Sequence, residues 1–123
     1  MKVLVVEPLK APYEKEIAGD LKSLQKEVGG FIQAVYPFKD NVGLICNEEG
    51  KLNGDPLNRG LRDDDGNLYD VVAGTFILVG LDEENFCSLT KKQIEKFSSL
   101  YAIPEMWISM NGALVALPYI TKE

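Results

Sequence analysis

Apolar residues fall in short blocks along this chain, and most blocks alternate at strand period rather than helix period. Lys2 to Glu7 (KVLVVE) is a β-branched run stopped by Pro8, which reads as a short buried strand. Pro12 to Ile17 alternates Tyr13, Lys15 and Ile17 and is expected to pair with it as a second strand. The period then changes. Leu21, Leu24 and Val28 lie at helical spacing behind Asp20, a good N-cap, and Gly29-Gly30 supplies a left-handed C-terminal cap. Phe31 to Phe38 and Val42 to Cys46 return to strand character, with turn chemistry from Asn47 to Gly50.

From Leu52 to Tyr69 the pattern breaks down. Asn53-Gly54, Asp55-Pro56 and Asp65-Gly66-Asn67 crowd turn signals together with little apolar periodicity, so Asn53 to Asp70 is predicted as a long loop. Asp70 to Leu81 (DVVAGTFILVGL) is predicted as one apolar, central strand. A helix is expected to begin at Ser88 or Thr90. Thr90 and Gln93 have capping-box spacing, Ile94, Phe97 and Tyr101 follow at helical spacing, and Pro104 ends it. Met106 to Met110 and Ala113 to Leu117 flank Asn111-Gly112, the strongest short hairpin signal a sequence offers, so a C-terminal hairpin is expected over about residues 105–119. The whole reads as an α+β single domain over residues 1–123: a mainly antiparallel sheet of six or seven strands with two helices.

Composition narrows the chemistry. The chain is 46% hydrophobic and 26% charged, enough for a real core and unlike a disordered or fibrous chain. There is no histidine, which removes the commonest general base, the commonest zinc ligand and every Ser-His or Cys-His pairing. Cys46 and Cys87 cannot build a zinc site alone, and their apolar neighbours read as core settings for reduced thiols. Val3 to Val6 is too short for a signal peptide, which needs an apolar core of about 7–15 residues. No apolar run approaches the roughly 20 residues of a membrane span, so a cytoplasmic protein with no membrane partner is expected.

The formal charge of -6 argues against a nucleic-acid partner, because such proteins concentrate Lys and Arg to release counterions. The acidity is local. Between Asp40 and Glu84 lie 11 acids (Asp40, Glu48, Glu49, Asp55, Asp63, Asp64, Asp65, Asp70, Asp82, Glu83, Glu84) against three bases (Lys51, Arg59, Arg62). That segment holds the only two arginines, Arg59 and Arg62, and two guanidinium forks this close can clamp one phosphate or carboxylate. Asn58, Tyr69, Asn53 and Thr75 are near enough in sequence to add neutral hydrogen bonds. The alternative is that the arginines pair with Asp63, Asp64, Asp65 or Asp70 and simply brace the loop.

Other motifs add little. Asp63 to Asn67 invites a calcium reading, but the EF-hand register puts Leu61 and Val72 where the two essential carboxylates belong, so no metal is expected. No phosphate-loop spacing occurs among the glycines, and no cofactor is expected. No carboxylate pair stands out among the 19 acids, so a carboxylate-based hydrolase is the weakest reading and no catalytic residue is assigned.

Several motifs in order carry a resemblance. Val3 to Pro8, Leu24 to Gly30 (LQKEVGG), Ala34 to Phe38 (AVYPF), Cys46 to Gly54 (CNEEGKLNG), Pro56 to Arg59 (PLNR) and Ala73 to Gly80 together resemble domain of unknown function 3846, over about residues 1–118. The resemblance implies a setting in Gram-positive gut-type bacteria, their phages and conjugative elements, and hence the cytoplasm of a bacterial host cell. It suggests counter-defence by association only, and implies no activity, ligand or catalytic residue.

Two functions from different classes follow. The first is a non-enzymatic binding protein of phage or mobile-element origin that captures a small anionic, nucleotide-like ligand. Arg59 and Arg62 would hold the phosphates, with Asn58 and Tyr69 reading the rest. The second is an acidic protein-interaction module that inhibits or adapts a host protein. A homo-oligomer would help so small a chain form a ligand pocket.

Overall fold

The computed structural model describes residues 1–120. Ten strands and two helices follow in the order β1 (Lys2–Val6), β2 (Tyr13–Glu16), α1 (Leu21–Val28), β3 (Ile32–Val35), β4 (Val42–Asn47), β5 (Leu57–Arg62), β6 (Leu68–Ala73), β7 (Phe76–Asp82), β8 (Asn85–Cys87), α2 (Lys91–Leu100), β9 (Glu105–Met110) and β10 (Ala113–Pro118). Every strand pairing is antiparallel. The main sheet has six strands in the order β2-β1-β7-β4-β3, with β8 also on β7, while β5-β6 and β9-β10 form separate two-stranded ribbons. The expected α+β class, antiparallel sheet and two helices are all present.

β7 runs down the middle of the sheet, and Phe76 to Val79 are fully buried on both its faces. Side-chain alternation splits the core in two. Val3, Val5, Ile45, Ile77 and Val79 pack against Leu24 and Val28 of α1. Leu4, Val6, Leu44, Phe76 and Leu78 pack on the other face against Ile94, Phe97 and Tyr101, with Leu61 and Val72 of the β5-β6 ribbon. Both helices are amphipathic and capped as their residues dictate. Asp20 accepts from the Ser23 amide, and Gly29 takes φ 81°, which a side chain would strain. Thr90 and Gln93 close a reciprocal capping box, and Tyr101 is the C-cap of α2. Burying one α1 anchor such as Leu24 contributes about 1.5–3 kcal/mol. No helix among the described residues is long and apolar enough to cross a membrane.

Three sequence expectations need correction. The predicted loop from Asn53 to Asp70 contains β5 and the first half of β6, which pair as a hairpin whose register slips twice, between Leu57 and Gly60 and between Leu61 and Arg62. Each slip is a β-bulge, and bulges erase the alternation by which strands are recognised. The single strand predicted from Asp70 to Leu81 is two strands in different sheets, broken at Gly74 with φ 81°. Its amide donates to Pro56 O at 2.7 Å, and a Cβ there would meet the Asp55 carboxylate at 3.1 Å. The strand expected from Phe31 to Phe38 pairs only over Ile32–Val35. Cys46 is buried and Cys87 half-buried, both as free thiols, and burial pushes the Cys46 thiol up.

Candidate functional site

The first β5 bulge decides where the arginine chemistry sits. It inserts an extra residue opposite β6, so the adjacent Asn58 and Arg59 are both buried, at 0% and 1% exposure, instead of alternating in and out. Asn58 Nδ2 donates to Val6 O and to Gly74 O, each at 2.9 Å. Asn58 Oδ1 accepts from Arg59 Nη1 at 2.9 Å. Arg59 Nη2 donates to Lys10 O at 2.6 Å and Tyr101 O at 2.8 Å, and Nη1 also reaches Glu7 O at 3.4 Å. Nε has no partner. Because Tyr101 caps the C-terminus of α2, the guanidinium sits where helix carbonyls carry partial negative charge. Burial pushes the Arg59 guanidinium down from its usual value, opposed by the charge of Glu105.

Arg62 is used differently. It forks onto Glu105 of β9, with Nη2 to Oε2 at 2.7 Å and Nη1 to Oε1 at 3.1 Å. Glu105 Oε1 also accepts from the Gly60 amide at 2.9 Å, and Trp107 Nε1 donates to Asn58 O at 2.7 Å, so β9 is pinned along β5. Burial alone would raise the Glu105 carboxyl, but Arg62 and the Gly60 amide outweigh it and hold the group below its usual value. The same hydrogen bond raises Arg62. The expected brace partners are elsewhere. Asp63 accepts from the Asp65 and Asn67 amides of its own turn, Asp64 pairs with Lys39 and Asp70 with Lys51.

Between β5, the segment after β3, the C-terminal half of α2 and the start of β9 lies a cleft of about 390 Å³, within the range of small-molecule sites. Phe38, Phe97 and Tyr101 form its aromatic side, with Phe38 edge-on to Phe97 at 4.7 Å between ring centres. Leu100 and Ile103, both 57% exposed, extend that side to the rim. The same cleft is lined by Lys39, Arg59, Arg62 and Lys96 with Asp40, Asp64 and Glu105, and Lys96 Nζ lies 5.6 Å from the centre of the Phe97 ring. Three of these bases are paired: Lys39 with Asp64 at 3.0 Å, Lys96 with Asp40 at 2.8 Å and Arg62 with Glu105. Among the described residues, Arg59 is left without a carboxylate partner.

Of the six residues expected at a site, two line this cleft. Arg59 and Arg62 do. Asn58 lies behind it with its hydrogen bonds spent inside the fold. Tyr69, the extra residue of the second bulge, is exposed on β6 outside the lining. Asn53 and Thr75 line a different hollow, beside Pro8, Asn47 and Gly74. Sequence reasoning missed Lys39, Lys96, Leu100 and Glu105. The four-residue spacing of Lys96 and Leu100 on α2 is the one signal that joins two of them. Phe97 and Tyr101, expected at helical spacing on the second helix, pack in the core and line the cleft as well.

Neither a curated protein nor a solved structure matches the chain. One family model does, over residues 1–102, and so takes in Arg59, Arg62 and α2 while Glu105 and the β9-β10 hairpin lie beyond the match. On that match the chain belongs to the family described as a domain of unknown function, DUF3846.

Proposed function

We infer that this is a binding protein whose cleft takes a small anion joined to a flat apolar body, as in a nucleotide-like molecule. One observation carries the reading: Arg59, a buried positive charge with no carboxylate partner among the described residues, lines a cleft that aromatic and aliphatic side chains line as well. Four bases against three acids line the cleft in a chain of net charge -6, so the local sign is opposite to that of the whole. The rim can accommodate an anion cheaply. The Lys39 and Asp64 side chains are 87% and 82% exposed, and exchanging such a carboxylate for a ligand anion forfeits little. Leu100 and Ile103 offer apolar area that only an occupant would cover.

The test is a titration of amide chemical shifts with three probes: inorganic phosphate, adenosine monophosphate and anilinonaphthalene sulfonate. Shifts should concentrate on residues 38–40, 60–62 and 96–105, and the two aromatic anions should outbind phosphate. Arg62→Ala should weaken the aromatic anions by roughly tenfold, the loss of one charge-assisted bond. If none of the probes moves those amides, or if Arg62→Ala and Lys96→Ala bind them as the parent does, the reading is refuted.

A further inference from the structure

Among the described residues, the C-terminal hairpin has one uncovered edge. There β10 pairs with β9 alone, over six successive residue pairs without a register slip. Edge strands are normally blunted by charge, proline, bulges or short length. Ala113–Pro118 (ALVALP) has no charged residue and no bulge, and its one proline stands at the last position, beyond Leu114 and Ala116. The phase of the ladder shows which backbone groups are spare. Asn111 at φ 52° and Gly112 at φ 80° make the tight two-residue turn that closes on a bonded Met110–Ala113 pair. At the other end Tyr119 N donates to Pro104 O at 2.8 Å, in the same phase. Alternate pairs exchange both bonds, so Val115 and Leu117 point their backbone groups at β9. The N–H and C=O of Leu114 and Ala116 therefore point outward.

We propose that β10 pairs with β10 of a second copy of this chain, antiparallel about a two-fold axis at Val115. In that register Leu114 of each copy faces Ala116 of the other, and every outward donor and acceptor of the two residues is satisfied. Neighbouring registers do worse. One sets Leu114 against Pro118, which has no N–H, and the other sets Ala116 against Gly112 in the turn. Val115 then lies beside Val115 of the second copy and Leu117 beside Ala113. These contacts fall on the hairpin face that carries Met106, Ile108 and Met110, all exposed and without a charge among them. The strand is its own best complement, which is why the occupant is a second copy. The contact is on the side of the hairpin away from β5, so it is independent of the cleft.

Val115→Cys tests the register directly. Across the axis the two residues form a non-bonded pair about 4.5 Å apart at Cα, within disulfide reach. Mild oxidation should give a covalent dimer, whereas Leu114→Cys and the parent chain, with Cys46 buried and Cys87 half-buried, should stay uncrosslinked. Light scattering after size exclusion should report twice the monomer mass for the parent. Ala116→Pro removes an outward N–H and should give a monomer that melts where the parent melts once diluted below its dimerisation range. If that variant melts lower, Val115→Lys decides, since it places like charges across the axis. A parent that stays monomeric at millimolar concentration overturns the proposal. So does a dimer that survives Ala116→Pro or Val115→Lys without crosslinking at Val115→Cys.

Discussion

Removing the Asn58 side chain tests the view that the bulged segment of β5 is a structural clasp. Asn58 is fully buried, and Asn58→Ala strands Val6 O, Gly74 O and one Arg59 N–H. Each neutral bond is worth about 1 kcal/mol and the one made to a charged group about 1.5–3 kcal/mol, and the penalty for unsatisfied buried groups is of the same order. Shared partners make these losses non-additive, and a total of about 3–5 kcal/mol is expected. That is a large part of a typical domain's 5–15 kcal/mol, and it lowers the melting temperature by about 10–20 °C. Urea unfolding followed by Trp107, the single tryptophan, and by circular dichroism should show the midpoint fall with an unchanged slope. Trp107 is a local reporter, since its Nε1 holds Asn58 O. A loss below about 1 kcal/mol, within the range of ordinary surface changes, would refute the clasp. Asn53→Ala, at an exposed position, should be silent.

Three further outcomes follow from named contacts. Because its folded carboxyl lies below its ordinary value, Glu105 stabilises the fold above its unfolded pKa and ceases to as pH falls through the folded one. Glu105→Gln should therefore be about 1 kcal/mol less stable at neutral pH, with the difference from the parent closing in acid unfolding curves below about pH 4. Gly60→Ala would put a Cβ 2.6 Å from Leu68 Cδ1 and 3.0 Å from Trp107 Cη2. It should cost about 1–3 kcal/mol by overpacking and shift the Trp107 emission, and unchanged emission would show that β9 does not rest on β5 there. Thr90→Ala opens the capping box of α2 and should cost about 1 kcal/mol in thermal melts, with Thr90→Ser close to the parent.

Where local chemistry and periodicity agree, the chain was readable. α1 runs from Leu21 to Val28 between the cap residues its sequence marks, and Asn111-Gly112 turns the C-terminal hairpin where expected. Where bulges or breaks intervene, it was not. β5 carries a buried Asn and Arg side by side, Tyr69 is an unpaired extra residue in β6, and both look like loop composition. Gly74, at φ 81°, splits the run from Asp70 to Leu81, and the short Gly74-Thr75 dip in hydropathy does not by itself show that the backbone turns there. The site was legible as two arginines and no further. Arg59 and Arg62 do share a cleft, but its other members come from β3's end, α2 and β9. That convergence is a property of long-range packing, which a scan of neighbouring residues does not see.

The guanidinium of Arg59 also bears on cooperativity. It is tied to Lys10, 49 residues away, and to Tyr101, 42 residues away, with Asn58 carrying the linkage to Val6. Forming the clasp spends loop-closure entropy across both spans. Once formed, it couples the ends of β1 and α2 to β5. Releasing any one of them leaves a buried charge short of acceptors. Amide exchange should accordingly find the ends of β1, β5 and α2 opening together as a single unit, with one common free energy and denaturant dependence.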